Sequence, residues 1–167
     1  RSVDAVVVRV DSPGGSVTAA DAIWRSLTRL AEKKPLFVSM GDVAASGGYY
    51  VAAPARKIFV SDNTITGSIG VFTGKYDLSG LYGKIGVNKV PVTKGARANL
   101  MGDSRPWSEA DRAAVRRSMD GLYSIFLERI LSGRENLSLK TLKPLAGGRV
   151  WTGHQARDNG LADGANG

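Results

Sequence analysis

Two glycine-rich turns carry the residues best suited to chemistry. Ser12-Pro13-Gly14-Gly15-Ser16 follows one apolar run, and Gly41-Asp42-Val43-Ala44-Ala45-Ser46-Gly47-Gly48-Tyr49 follows another. Lacking side chains, Gly14 and Gly15 can aim backbone N–H groups at a developing oxyanion. Ser46 falls where a strand is expected to turn into a helix, with two glycines after it. That arrangement is chemically like a nucleophile elbow: an exposed hydroxyl, a free following N–H, and a helix amino end nearby. The spacing is not G-x-S-x-G, and the same residues equally suit a plain helix cap with glycines that permit close packing. A serine nucleophile needs a base. His154 is the only histidine, and it lies in the polar tail Trp151-Thr152-Gly153-His154-Gln155, a poor position for one. The other option is a lysine kept neutral by burial and neighbours. Composition does not choose among the lysines.

The elements around these turns follow from periodicity. Ala5–Val10 reads as a buried strand, rich in β-branched residues. Ser16 can cap a helix over Val17–Lys33, with Ala20, Ile23, Leu27 and Leu30 on its apolar face and Pro35 ending it. Leu36–Met40 is a second buried strand, Gly41–Ala45 a sharp turn, and Ser46-Gly47-Gly48 opens a short helix to Ala53. Lys57–Val60 and Ile69–Phe72 read as two further strands. Strand, helix, strand, helix, strand predicts a mostly parallel sheet with crossover helices. Val87–Thr93 reads as a strand whose Pro91 favours an edge position, and Lys94–Pro106 as an irregular segment. Ser108 with Asp111 resembles a capping box and starts the longest helix, to Leu131, with Val115, Met119, Leu122, Phe126 and Ile130 on one stripe. A short helix over Leu139–Leu145 follows, then a short strand and a last helical turn in Arg149–Asp163.

Composition narrows the function. The 167 residues suit a single domain. No apolar run approaches the roughly 20 residues that a membrane span needs. Zero cysteines exclude disulfides, thiol catalysis and cysteine-ligated metals, and one histidine argues against a histidine-based metal cluster. The net charge is +8, but the basic residues are scattered, as at Lys33-Lys34 and Arg116-Arg117, so a solvated surface is expected rather than a nucleic-acid groove. The opening Arg1-Ser2-Val3-Asp4 has neither an initiator Met nor a signal peptide, and a piece of a longer protein is expected.

Four motifs occur in one order: Asp11-Ser12-Pro13-Gly14-Gly15, Gly41 through Tyr50, Thr66-Gly67-Ser68-Ile69-Gly70, and Gly148-Arg149-Val150-Trp151-Thr152-Gly153. Together, over nearly the whole chain, they resemble the signal peptide peptidase A family, also called protease IV. The resemblance implies an α/β fold of the crotonase/Clp-like type, a βαβ superhelical domain with a mostly parallel sheet and flanking helices. It implies peptide-bond hydrolysis by a Ser-Lys dyad, with no metal or organic cofactor. Ser46 stands where the family has its nucleophile, Gly15 and Gly47 where N–H groups form the oxyanion hole, and Ser68 where a serine orients the catalytic lysine.

One position departs from the pattern. In single-domain members the lysine lies at a spacing that falls on Ala98 here, and the nearest lysine is Lys94. Longer members have two tandem halves, with the lysine in the N-terminal half and the serine in the C-terminal one. The resemblance therefore implies that residues 1–167 are a serine-bearing half domain. Its lysine would come from a missing N-terminal half, within or between subunits of a homo-oligomer, with Lys94 as the alternative. The implied substrates are cleaved signal peptides and other apolar polypeptides. The implied location is the inner membrane, with the catalytic part on the extracytoplasmic side.

Two other functions are weighed against this. A Clp-type triad needs a histidine near Gly70-Val71-Phe72-Thr73, where none exists. A crotonase-like acyl-CoA-binding enzyme would share the oxyanion glycines without requiring Ser46, and a catalytically silent scaffold half would keep only the fold. Trp24, Trp107 and Trp151 are expected in core or rim packing. Tyr49 and Tyr50 are expected to pack their helix, and Asp11 and Asp42 to form turns. Substrate specificity is expected from apolar residues around the first two turns.

Overall fold

One long strand, Leu36–Ala45, organises the sheet, and a computed structural model describes residues 3–165 around it. The strands are β1 (Val6–Ser12), β2 (Leu36–Ala45), β3 (Lys57–Val60), β4 (Ile65–Gly67), β5 (Val150–Thr152) and β6 (Gly164–Ala165). The helices are α1 (Val17–Ala31), α2 (Gly47–Ala52), α3 (Ser79–Lys84), α4 (Glu109–Gly133), α5 (Leu139–Leu145) and α6 (Gly153–Asp158). The first half of β2 pairs in parallel with β1 and β3; its second half pairs with β4. The sheet order is β5-β4-β2-β3-β6, with β1 beside β2; only the β4–β5 pair is antiparallel. This mostly parallel sheet with flanking helices is the expected α/β architecture.

The chain forms two units, residues 1–71 with 122–167, and Phe72–Gly121. In the first, Leu36, Val38 and Met40 alternate inward along β2 and are fully buried with Ile58, Val60, Tyr49, Tyr50, Ile130 and Leu142. Such alternation is the period of a strand laid on a core. In Phe72–Gly121, Lys75 Nζ donates to the carbonyls of Gly102 (2.5 Å) and Arg105 (2.6 Å). Trp107 Nε1 donates to the Leu100 carbonyl at 2.7 Å. The capping box at the start of α4 is formed: Ser108 N–H donates to Asp111 Oδ2 and Asp111 N–H to Ser108 Oγ. Phe72, Tyr76, Val90 and Val92 of this unit are exposed. Among the described residues no helix is long and apolar enough to cross a membrane.

Several local expectations need correction. Gly41–Ala45 is not a turn but the second half of β2. The sheet register shifts between Val10 and Ser12, and Asp11 Oδ1 accepts from the Val43 N–H at 3.2 Å, so the strand bends without breaking. Ile69–Phe72 is not a strand. The strand lies earlier, at β4, because Gly67 (φ +75°) and Ser68 (φ +48°) turn the chain out of the sheet. Val87–Thr93 carries no strand, and α3 and β6 were not anticipated. On α1, Trp24 rather than Ile23 joins the core; Ile23 is 48% exposed.

Candidate active site

Ser46 sits between the end of β2 and the first residue of α2 with φ +51° and ψ −116°. A non-glycine residue in that region is strained and persists only where its surroundings over-determine it. Among the described residues just two non-glycines have positive φ, and they are Ser46 and Ser68. The grip on Ser46 is visible. Its N–H donates to the Gly67 carbonyl at 2.9 Å, and its carbonyl accepts from the Tyr50 N–H at 2.9 Å. Thr64, just before β4, and Thr66 within it pin this strand end in place: Thr64 Oγ1 donates to the Gly41 carbonyl at 2.9 Å, and Thr66 Oγ1 to the Ala44 carbonyl at 2.7 Å. Both threonines are buried.

The two glycine turns meet. A Cβ on Gly14 would lie 2.6 Å from the Gly47 nitrogen and 2.8 Å from the Ser46 Cβ; one on Gly47 would lie 3.3 Å from the Gly15 nitrogen. Only glycine allows that approach at Gly14, whose φ is +105°. Gly47 is the first residue of α2, so its N–H has no acceptor inside the helix. Neither Gly15 nor Gly47 donates its N–H to a protein group among the described residues. Two free N–H groups thus flank a residue whose hydroxyl also makes no hydrogen bond among the described residues. A tetrahedral oxyanion is the chemical species such a pair can hold.

The third and fourth motifs meet as well. Ser68 donates its N–H to the Arg149 carbonyl at 2.7 Å, and Gly148 donates to the Ile69 carbonyl at 2.9 Å. A Cβ on Gly67 would strike Trp151 at 2.7 Å, and one on Gly70 would strike the Gly148 nitrogen at 2.9 Å. Gly67 therefore links the two serines: its carbonyl holds Ser46, and the next residue is Ser68. All four expected site residues, Ser46, Gly15, Gly47 and Ser68, lie in the first unit.

A cavity of about 310 Å³ opens beside the glycine pair. Val8 and Val10 of β1, Ala19, Ala20 and Ile23 of α1, and Val51 of α2 supply its apolar wall. The lining residues come from three elements, so local sequence does not name them. Asp11 and Asp42 do not form turns: Asp11 lies in β1 and its Oδ1 accepts from the Val43 N–H of β2, and Asp42 lies within β2. Tyr49 and Tyr50 are buried on their helix, as expected. Burial pushes the Tyr49 phenol up, and its Oη donates to the Leu161 carbonyl at 2.8 Å. His154 is exposed in α6, 3.5 Å from the Asp158 carboxylate. Lys94 and Ala98 are exposed in Phe72–Gly121.

Comparison with known proteins identifies a family. The sequence pattern of peptidase family S49 matches residues 28–167. The chain is 42% identical over its whole length to the chloroplastic serine protease SPPA of Arabidopsis thaliana, and 40% identical over 98% of its length to Protease 4 of Haemophilus influenzae. It spans about a quarter of the length of each, 25% and 26%. Among solved structures, a mutant of ClpP1 from Listeria monocytogenes superposes with a TM-score of 0.64 at 16% identity, covering 99% of this chain and 75% of the other. That likeness is one of fold.

Proposed function

The chain belongs to peptidase family S49 and is a protease domain of that family, and from that premise we propose that Ser46 is its nucleophile in a Ser-Lys dyad. Ser46 Oγ attacks the scissile carbonyl carbon while its proton passes to a neutral lysine Nζ. The carbonyl electron pair moves to oxygen, and the N–H groups of Gly15 and Gly47 hold that oxyanion. Collapse breaks the C–N bond, and the amine leaves with the proton from Nζ. Water, deprotonated by the same lysine, then cleaves the acyl-serine ester. Ser68 orients the lysine. The observation that carries this reading is the strained turn at Ser46 beside two closely packed glycine turns, in which the N–H groups of Gly15 and Gly47 bond to no protein group among the described residues.

The lysine is supplied by an N-terminal half of the same protein, because Ala98 occupies the position where single-domain members carry it. The substrates are cleaved signal peptides and other apolar polypeptides, a class that the apolar cavity beside the glycine pair suits. The full protein is a homo-oligomer at the inner membrane, with its catalytic part on the extracytoplasmic side.

The test is turnover of a fluorogenic apolar peptide. The full-length protein is expected to cleave it and Ser46→Ala to abolish cleavage. The 167-residue chain alone is expected to cleave weakly or not at all, and adding the upstream half to restore activity. Clear turnover by the chain alone, lost in Ser46→Ala, refutes the split site and makes Lys94 the first residue to mutate.

A further inference from the structure

Gly15 and Gly47 stand at the amino ends of two different helices. Gly15 precedes the Ser16 cap of α1, and Gly47 opens α2. A pair of N–H groups assembled in this way is only as well aligned as α1 is against α2. Near the turns the two helices touch through small groups: a Cβ on Gly47 would lie 3.5 Å from the Ala20 Cβ. Apolar contact is non-directional and does not by itself fix a register. A directional link lies one turn further in.

Asp21 of α1 accepts from the Tyr50 phenol of α2 at 2.8 Å. The same carboxylate accepts from Arg25 Nε at 2.6 Å and from Arg129 Nε of α4 at 3.1 Å. Both partners of the Asp21–Tyr50 bond are held by further contacts. The Tyr50 ring packs on Phe126, centroids 4.7 Å apart, and the Arg129 guanidinium lies 4.4 Å over the Trp24 ring. Tyr50 is also the residue whose N–H holds the Ser46 carbonyl. Burial pushes the Asp21 carboxyl up, but the hydrogen bonds from Arg25, Tyr50 and Arg129 outweigh it and hold the group below the ordinary carboxylate range. It is therefore a charged acceptor at neutral pH, which makes its hydrogen bonds strong ones.

We propose that Asp21 is a positioning residue for the oxyanion hole: through Tyr50 it fixes α2 against α1, and with them the separation of the Gly47 and Gly15 N–H groups. This rests on the reading of Ser46, Gly15 and Gly47 given above. Asp21 touches neither substrate nor reacting atoms; it acts through the two helices.

The test compares Asp21→Ala, Asp21→Asn and Tyr50→Phe in the full-length protein, on an apolar peptide and on a matched peptide aldehyde and peptide alcohol. With the aldehyde, Ser46 Oγ bonds to the carbonyl carbon, its proton passes to the base, and the carbonyl oxygen takes the oxyanion position. The alcohol cannot do this. A small misalignment of the hole is expected to lower kcat by about 10- to 100-fold, with KM nearly unchanged, as for a contact made only in the transition state. Aldehyde affinity should fall in step with kcat, while alcohol affinity holds. Asp21→Asn keeps an oxygen for the Tyr50 phenol and should recover most of kcat. Equal loss for aldehyde and alcohol, a rise in KM at constant kcat, or wild-type kinetics in a folded variant would each overturn the proposal. If Asp21→Ala does not fold, Tyr50→Phe, which removes a single oxygen, decides the matter. Failure of the underlying reading shows separately, as turnover that survives Ser46→Ala.

Discussion

Replacing Gly14 by alanine tests the site at its tightest point. Gly14 has φ +105°, where an L residue costs about 1–2 kcal/mol. The new Cβ would sit 2.6 Å from the Gly47 nitrogen, 2.8 Å from the Ser46 Cβ and 3.0 Å from the Ala45 carbonyl oxygen. Comfortable non-bonded separations begin near 3.5 Å, so the two turns must part by roughly 0.9 Å. Overpacking of that kind costs about 1–3 kcal/mol, which brings the expected destabilisation to about 2–5 kcal/mol. The functional loss should be larger than the stability loss implies. A shift near 1 Å in a catalytic constellation costs on the order of 10²-fold in rate, and one lost oxyanion donor costs about 10²–10³-fold. The assay is kcat on an apolar peptide in the full-length protein, with denaturant unfolding measured on the same samples. Gly121→Ala is the control: Gly121 is exposed within α4, and a Cβ there meets nothing within 4 Å. That change should stabilise by about 0.5–1 kcal/mol and leave kcat alone. A folded Gly14→Ala with wild-type kcat would refute the claim that the two turns form one site.

Two further predictions concern pH. Burial first, and then the hydrogen bond to Asp21, push the Tyr50 phenol up to about 12 from its ordinary 10.0. Folding favours the protonated form, so this group's contribution to stability is complete below pH 10 and is lost as pH rises toward 12. Phenolate absorbance should show a late-titrating step that Tyr50→Phe removes; full ionisation near pH 10 in the folded protein would contradict the placement of Tyr50. Asp111 behaves oppositely: the Arg105 guanidinium and then the Ser108 N–H and hydroxyl lower its carboxyl to about 2 from 3.8. Its contribution is present above pH 3.8 and is lost as pH falls to about 2. Amide exchange at Ser108 should accelerate over that window and should already be fast at neutral pH in Asp111→Ala.

What the sequence revealed, and what it hid, divides along physical lines. Glycine pairs and caps are read locally, so the turn around Gly14-Gly15, the start of α2 and the capping box of Ser108 were legible. Each depends on a residue type whose backbone preference acts within a few positions. The end of β2 was not legible, because Gly41 looks like a turn former. In the fold, Gly41 leaves room for Asp11: a Cβ there would lie 2.7 Å from the Asp11 Cγ. The early end of β4 was hidden too, since Ile69-Gly70-Val71-Phe72 is apolar enough for a strand. Nothing in a serine announces the left-handed backbone that Ser68 adopts. The cavity wall and the Asp21 cluster were equally hidden, being built from side chains brought together by three elements each.

The placement of strain ties these observations together. A non-glycine residue with left-handed backbone costs on the order of 1–3 kcal/mol, and among the described residues the chain accepts that cost only at Ser46 and Ser68. A helix cap does not need it, because Ser16, Ser138 and Thr152 cap α1, α5 and α6 from extended backbone or near it, with their side chains accepting an N–H. Ser46 caps nothing with its side chain. Its strained turn instead frees the hydroxyl and leaves the Gly47 N–H beside that of Gly15. The same segment, Gly67-Ser68, grips Ser46 through its first residue, and the hydroxyl of its next makes no hydrogen bond among the described residues. The plain cap thus accounts for neither serine. The roles proposed above, a nucleophile at Ser46 and at Ser68 a hydroxyl that orients its base, would account for both, and for why one short strand end supports the pair.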